Sequence, residues 1–244
     1  MQTRLDLYLS DNKIVKSRSV AAKMIIEGKI SVNGKVCTKS SFIVSESDKI
    51  EVTGDMPKYV GRGGLKLEKA IEFFEIDLKD KLCVDIGAST GGFTDCMLQN
   101  GANKVYAVDV GSDQLDEKLR NDSRVVSMEK TDIRKVTNEI PLVDFISIDV
   151  SFISLKLVLP SAFRLLVGKG SLVALIKPQF EAGKSNLNKK GIVRDEKVRV
   201  KVCEDIKQFA VVCGFSVVGL IESPISGGDG NTEYLIYLKK GEIR

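Results

Sequence analysis

The chain contains no histidine and no tryptophan, and its aromatic content is limited to ten Phe and five Tyr. Without histidine, proton transfer near neutral pH must run through lysine, carboxylate, thiol or hydroxyl groups. The commonest metal ligand is also missing. The five cysteines (Cys37, Cys83, Cys96, Cys203, Cys213) include no Cys-x-x-Cys pair. No metal ligand set is therefore expected, a zinc site least of all. Their odd number and wide spacing read as reduced, mostly buried thiols of a cytoplasmic protein rather than a disulfide framework. No apolar run approaches the roughly 18 residues of a membrane span. The first residues read as a polar helix rather than a secretory signal. A strongly amphipathic cationic helix is also lacking, which argues against a membrane-lytic protein and for one with no membrane partner.

What is present is enough apolar content for a real core, 43% of 244 residues, in one large domain or a medium domain plus a small one. Charge is uneven. Residues 1–40 hold six Lys and two Arg against two Asp and one Glu, a net of +5, whereas the whole chain carries +4. A basic block on a near-neutral body reads as a polyanion-binding module joined to something else.

Within that block, Thr3-Arg-Leu-Asp6 fits a capping box opening a short helix with Leu5 and Leu9 inward. Ser17 or Ser19 can cap a second helix, on which Ala21, Met24, Ile25 and Gly28 share one face. Lys13, Lys16, Arg18 and Lys23 crowd its start, where free backbone N–H groups favour phosphate. Gly28 ends that helix, and Lys29 to Val36 reads as two strands around an Asn33-Gly34 hairpin turn. Asp48 to Val52 gives another short strand, and Thr53 to Pro57 a linker. The combination of Arg4-Leu5-Asp6, Ser17-Arg18, Ala21, the Ile25 to Gly28 helix end and Ile30-x-Val32-Asn33-Gly34 resembles the S4 RNA-binding domain. The resemblance implies binding of structured RNA by shape and phosphate contacts. Its candidate contacts are Arg4, Lys16, Arg18 and Lys23, with Arg62 beyond the linker.

Cys83 to Thr94 is the most informative stretch of the body. An apolar strand runs into Asp85, a turn of small residues follows (Gly87, Ala88, Ser89, Gly91, Gly92), and a helix begins near Phe93. Such a turn lets a bulky cofactor lie against bare backbone. A second strand ends at Asp109, 24 residues after Asp85, where an acid can hold ribose hydroxyls. The turn is not Gly-x-Gly-x-x-Gly, so a nucleoside without phosphates fits better than a pyrophosphate. S-adenosylmethionine is the leading candidate, and a nicotinamide or nucleotide stays open on the turn alone.

Further elements alternate: a helix with Leu67, Ala70, Ile71 and Phe74 inward and Lys66 and Lys69 off that face, a helix near 92–100, a polar helix near 113–119, a strand at 124–129, a strand at 143–149, a helix near 154–166 and a strand at 171–177. This alternation predicts an α/β, doubly wound, mostly parallel sheet with its ligand crevice at the strands' carboxyl ends. Asp85, Asp109, Asp132, Asp149 and Lys177 are expected to converge on that rim. A helix near 195–213 and two successive strands, 215–221 and 232–238, end the pattern as an antiparallel hairpin at the sheet edge. Segment 178–194 reads as a long loop with four basic residues.

Taken together, Arg62-Gly-Gly-Leu-Lys66-Leu, Asp85 to Thr94, Val108-Asp-Val-Gly111, Asp149-Val-Ser-Phe-Ile-Ser154, Lys177-Pro-Gln-Phe-Glu181 and Asn231-Thr-Glu-Tyr234 resemble the TlyA family. In that family an S4 domain is fused to an RrmJ/FtsJ-like class I (Rossmann-like) methyltransferase domain. The resemblance implies domains at 1–55 and 64–244 with a linker at 56–63. The implied activity is S-adenosylmethionine-dependent 2′-O-methylation of cytidine in ribosomal RNA or ribosomal subunits. It also implies a Lys-Asp-Lys-Glu tetrad at Lys66, Asp149, Lys177 and Glu233. A ribose hydroxyl is a poor nucleophile that needs in-line positioning and stabilisation of alkoxide charge, which lysine can give without histidine. Lys177 would contact the hydroxyl, either charged or as a neutral base. Asp149 would orient Lys177, and Lys66 and Glu233 would complete the network. Cofactor contacts would come from Asp85, Gly87, Ser89, Thr90, Gly91, Gly92, Phe93, Asp109, Val110, Asp132 and Asp149. The competing readings are a non-catalytic ribosome-binding factor with a vestigial methyltransferase body and, from a name used in the family, a haemolysin. Pseudouridine synthases also carry S4 domains, but their body would not show this strand–helix order.

Overall fold

A single carboxylate organises the first of two units, Met1–Val60 and Gly61–Arg244, into which the computed structural model divides. Residues 2–15, 17–54, 57–135 and 138–241 are described. Lys16, and Asp55 and Met56 at the start of the expected linker, lie outside them. In the first unit, β1 (Thr3–Arg4) leads directly into α1 (Leu5–Asp11), followed by α2 (Arg18–Ile26), β2 (Ile30–Val32), β3 (Lys35–Val36), β4 (Ile43–Val44) and β5 (Ile50–Val52). The expected capping box does not form, because Thr3 is tied into β1 opposite Val44 and Arg4 takes the cap position without a side-chain bond. Asp6 is turned instead onto two arginines. Arg4 donates to both of its oxygens at 2.9 Å, and Arg18 donates at 3.0 Å. The Asp6 carboxylate is almost completely buried. Ser17 caps α2 by accepting from Val20 N, and Asn33 and Gly34 take positive φ in the hairpin turn between β2 and β3. Leu5, Leu9, Ala21, Met24, Ile25 and Ile30 form the core.

The second unit runs α3 (Gly64–Phe73), β6 (Leu82–Ile86), α4 (Gly92–Gln99), β7 (Lys104–Val108), α5 (Glu117–Arg120), β8 (Val125–Met128), β9 (Val143–Ile148), α6 (Leu159–Leu165), β10 (Leu166–Ile176), α7 (Pro178–Glu181), α8 (Glu196–Val212), β11 (Phe215–Glu222) and β12 (Tyr234–Lys240). Its strands form one sheet in the order β11-β12-β10-β9-β6-β7-β8. Pairing is parallel from β10 to β8 and antiparallel on both sides of β12. Val84, Ile86, Ile146, Ile148, Leu172, Ala174, Ile176 and Ile236 lie in one core cluster, the alternate positions along each strand that line one face of the sheet. The final hairpin lies at the sheet edge, with β11 outermost and β12 tucked inside it.

Two expected helices are shortened for local reasons. The polar helix at 113–119 contracts to α5, because Gln114 N and Leu115 N donate to the Glu129 carboxylate rather than entering a helix. The helix at 154–166 is split into a single 3₁₀ turn, Leu155–Leu157, and α6, which starts next to Pro160. Segment 178–194 is not structureless. It carries α7 and a 3₁₀ turn at Lys184–Asn186. Cys83, Cys96 and Cys203 are buried, and burial pushes the Cys83 thiol up to about 12. Among the described residues no helix is long and apolar enough to cross a membrane.

The arginines around Asp6, the Arg4 hydrogen bond foremost, hold its carboxyl near 2, below its ordinary 3.8. A depressed carboxylate stabilises the fold above the ordinary value and loses that contribution as pH falls through the depressed one. Urea unfolding of the full chain should therefore weaken between about pH 4 and pH 2 for wild type. Asp6→Asn should be less stable at neutral pH and flatter across that window.

Candidate active site

The turn after β6 explains its own glycines. Gly87 has φ +84°, and a Cβ there would sit 2.3 Å from the Asp149 carbonyl oxygen. The backbones after β6 and β9 approach too closely for any side chain. Gly91 has φ +92°, and a Cβ there would meet Leu119 at 2.2 Å. The turn is thus left as bare backbone between the two strand ends, directly before α4.

Two adjoining cavities open at these strand ends. The larger, of about 430 Å³, is lined by Gly87, Ser89, Asp109, Val110, Gly111, Asp132, Asp149 and Phe152 among others. The smaller, of about 220 Å³, is lined by Arg62, Gly63, Gly87, Ser89, Thr90, Gly92, Phe93, Asp149, Ser151 and Lys177 among others. Gly87, Ser89, Asp149 and Ser151 belong to both, so the cavities meet at Asp149. Asp109 spans two loops, accepting from Ser89 N at 2.8 Å and Gly111 N at 2.7 Å. Asp132 faces the larger cavity but is held by Arg134, whose hydrogen bonds keep its carboxyl near 2. Phe152, at φ +63° and 90% exposed, sets its ring in a tilted contact with Phe180 at the cavity edge, centroids 4.9 Å apart.

Asp85 corrects the expectation of five charges on one rim. It is fully buried beneath α4 and lines neither cavity. Its oxygens accept from Thr94 Oγ1 at 2.7 Å and Ser147 Oγ at 2.9 Å. It ties β6 to β9 and α4, so its part in the site is to fix the turn rather than to touch a ligand. Gly91 likewise shapes the turn without lining a cavity.

The four tetrad candidates do come together. The register of β10 against β12 places Ile176 opposite Tyr234, so Lys177 and Glu233, each one residue beyond, emerge side by side. Asp149 leaves the end of β9, the other neighbour of β10. Lys177 Nζ lies 2.6 Å from Asp149 Oδ1 and donates to Ser151 Oγ at 2.9 Å. Lys66 Nζ donates to Glu233 Oε2 at 2.5 Å. Lys66, expected off the apolar face of its helix, is nonetheless withdrawn from solvent. It is only 8% exposed, because Glu233 supplies a buried counter-charge on the α3 side of β12. Lys69, one turn away, is exposed as expected.

Two residues with no assigned role in the sequence reading brace this arrangement. Ser151 accepts from Lys177, and Glu181 accepts from Ser154 Oγ at 2.6 Å and Leu155 N at 2.8 Å, fastening the 149–155 loop to α7. Nothing local in the sequence marks these long-range bonds. Asp149 Oδ1, which meets Lys177 outside hydrogen-bond geometry, and Gln179 Oε1 have no hydrogen-bond partner among the described residues. Asp149 and Ser151, which line both cavities beside Lys177, bring acceptor oxygens that suit ligand groups that donate, such as hydroxyl and ammonium. The larger cavity has the volume of a small-molecule site and carries acids at one end and apolar walls from Val110 and Phe152. The residues present therefore fit a nucleoside-type cofactor without phosphates.

The FtsJ-like methyltransferase family model matches residues 59–240, and the S4 domain model matches residues 3–50. The chain is 46% identical over 239 residues to Hemolysin A of Brachyspira hyodysenteriae, covering 96% of this chain and 98% of that protein. It is 39% identical over 241 residues to the 16S/23S rRNA (cytidine-2′-O)-methyltransferase TlyA of Mycobacterium tuberculosis, covering 98% and 90%. Among solved structures, one described as "Putative hemolysin from Streptococcus thermophilus" is similar with a TM-score of 0.78 and 46% identity, covering 99% of this chain and 89% of that one.

Burial pushes the Asp85 carboxyl up to about 6, against the opposing hydrogen bonds from Thr94 and Ser147. An acid raised in the folded state is penalised when ionised, so its unfavourable share grows as pH rises from its ordinary 3.8 through 6. Unfolding free energies of wild type and Asp85→Asn, measured from pH 4 to pH 7.5, should diverge in the variant's favour by on the order of 2–3 kcal/mol. A difference that stays constant across that range would remove this account of Asp85.

Proposed function

The chain belongs to the FtsJ-like methyltransferase family, and from that premise we propose that it methylates the 2′-hydroxyl of a cytidine in ribosomal RNA with S-adenosylmethionine as donor. The observation that carries this reading is the pair of neighbouring ion pairs, Lys66–Glu233 and Lys177–Asp149, at the strand ends beside a glycine turn. When bound, S-adenosylmethionine supplies an electrophilic methyl group on a sulfonium centre. In the larger cavity Asp109 would hold ribose hydroxyls, Asp132 would face the adenine amine, and the turn of Gly87, Ser89, Thr90 and Gly92 would lie along the methionine portion, with Phe93 behind it and Val110 as an apolar wall.

The rest of the chemistry belongs to the chain's own side chains. Lys177 lines the smaller cavity, its Nζ fixed by Asp149 and Ser151, which line both cavities. A 2′-hydroxyl seated there acquires negative charge as it attacks, and a preplaced ammonium stabilises that charge without reorganisation. Asp149, ion-paired to Lys177 through Oδ1, keeps the ammonium in place beside the hydroxyl. Glu233 lies next to Lys177, but Lys66 neutralises it, so the Lys177–Asp149 pair is not pulled away from the substrate. Lys66 is thus a positioning residue rather than a group that touches the ribose. The exposed ring of Phe152 offers a stacking surface to a base brought in with its ribose.

For RNA docking, the reading takes residues 1–55 as the S4 domain, 56–63 as linker and 64–244 as the methyltransferase domain. Arg4 and Arg18 share one carboxylate, so the cluster keeps a net positive charge for phosphate while holding α1 and α2 together. Lys23 lies on the same helix as Arg18, and Arg62 lines the smaller cavity next to Lys177. Ribosomal RNA as substrate places the protein in the cytoplasm.

Methyl transfer from labelled S-adenosylmethionine to unmodified ribosomal subunits tests the reading. Wild type and the exposed-site control Lys69→Ala should transfer alike. Lys177→Ala should lose at least about 100-fold in kcat/KM, the scale of removing one preorganised donor. Wild type that binds cofactor and subunits yet transfers nothing would instead identify a non-catalytic binding factor.

A further inference from the structure

The segment between α7 and α8 carries Lys184, Lys189, Lys190 and Arg194 and no acidic residue from 183 to 194. All four side chains are exposed, and none is paired with a carboxylate among the described residues. Its backbone is nevertheless held at every turn. Asn188 N donates to Ile192 O at 3.1 Å, and the Asn188 carboxamide oxygen accepts from Lys190 N at 2.8 Å and Ile192 N at 3.0 Å. This closes a small loop with Lys189 and Lys190 at its tip and Gly191 at φ +72°.

The base of that loop is anchored to the active site. Asn231, only 1% exposed, accepts from Val193 N at 3.1 Å and donates to Gly191 O at 3.2 Å. Two residues later comes Glu233. Arg199 turns away from solvent to donate to Val193 O, Arg194 O and the Tyr234 hydroxyl. Of the cations near this loop, one is therefore spent on its backbone, and four are left facing outward from a fixed frame.

We propose that this loop is a phosphate-docking element of the methyltransferase unit, gripping the backbone of the substrate RNA next to the ribose being modified. The inference rests on the functional reading above. The loop leaves the strand end that carries Lys177 and is pinned to the segment that carries Glu233. An RNA strand with a ribose at Lys177 therefore runs its neighbouring phosphates along this rim. Cations on a braced backbone lose less freedom on binding than cations on a mobile tail. They contact phosphate rather than base edges, so the loop positions the strand and does not read its sequence.

The test is K189A/K190A in the full chain, with K79A/K81A as a control that removes equal charge before β6, at the strands' amino ends. Affinity for unmodified ribosomal RNA is measured by anisotropy across a series of KCl concentrations, together with KM for methyl transfer. Melting temperature and cofactor affinity serve as fold checks. K189A/K190A should flatten the slope of log affinity against log salt by about 1.5 and weaken binding about tenfold at moderate salt. K189R/K190R should restore both, and the control should match wild type. A slope and affinity for K189A/K190A equal to those of wild type or the control overturn the proposal. The binding arm stands apart from catalysis. If wild type transfers no methyl group while the slope still flattens, the docking loop survives and the catalytic reading fails.

Discussion

Everything at the carboxyl end of the sheet depends on two charged pairs being compatible with burial. A lysine or carboxylate removed from water costs several kcal/mol unless its partner is placed well. Lys66 and Glu233, both buried, meet that demand at 2.5 Å, and Lys177 and Asp149, half-buried at the cavity rim, pair at 2.6 Å. Neither pair is local. Strand register makes one, with β12 bringing Glu233 beside Lys177 and β9 bringing Asp149 to its other side, and the packing of α3 against β12 makes the other. The energetic cost of isolating any one of these charges makes the register of three strands and the seating of α3 mutually dependent.

The same rim also shows why the turn after β6 is built from the smallest residues. The Asp149 carbonyl occupies the space where a side chain at Gly87 would go, and Leu119 occupies the space at Gly91. Asp85 fastens this arrangement from below, through Thr94 and Ser147, at the cost of an acid kept in a fully buried place. The turn is therefore held by a polar bond network on its inner side and left bare on its outer side, where the cavities open. Stability and ligand access are assigned to opposite faces of the same few residues.

Much of this was legible in the sequence because it is local. Strand–helix alternation, the small-residue turn, Asp109 at the end of β7, the Asn33-Gly34 hairpin and the inward faces of α1 and α2 all follow from spacing and turn chemistry. The departures share a cause. Lys66 reads as a solvated helix residue until Glu233, 167 positions away, is placed against it. Asp85 reads as a rim acid until α4 covers it. The capping box at Thr3 looks sound until Arg4 and Arg18 claim Asp6. The helix before α5 fails because Glu129 takes its N–H groups. In each case a long-range polar partner outweighs a sound local signal. The tetrad itself came from family resemblance, since no spacing rule links residues 66, 149, 177 and 233.

The position of β12 also makes one strand carry several long-range contacts at once. It is the last strand along the described chain, yet it enters the sheet between β10 and β11 rather than adding to an edge. Until it arrives, β10 has an unpaired edge, Lys66 has no counter-charge, and Asn231 cannot clasp the basic loop. The pairing of β12 with β10, of long sequence separation, carries a chain-closure entropy that must be met before it returns any stability. Displacing this one strand would therefore undo the interior pairing of the sheet, the Lys66–Glu233 pair and the clasp on the basic loop together.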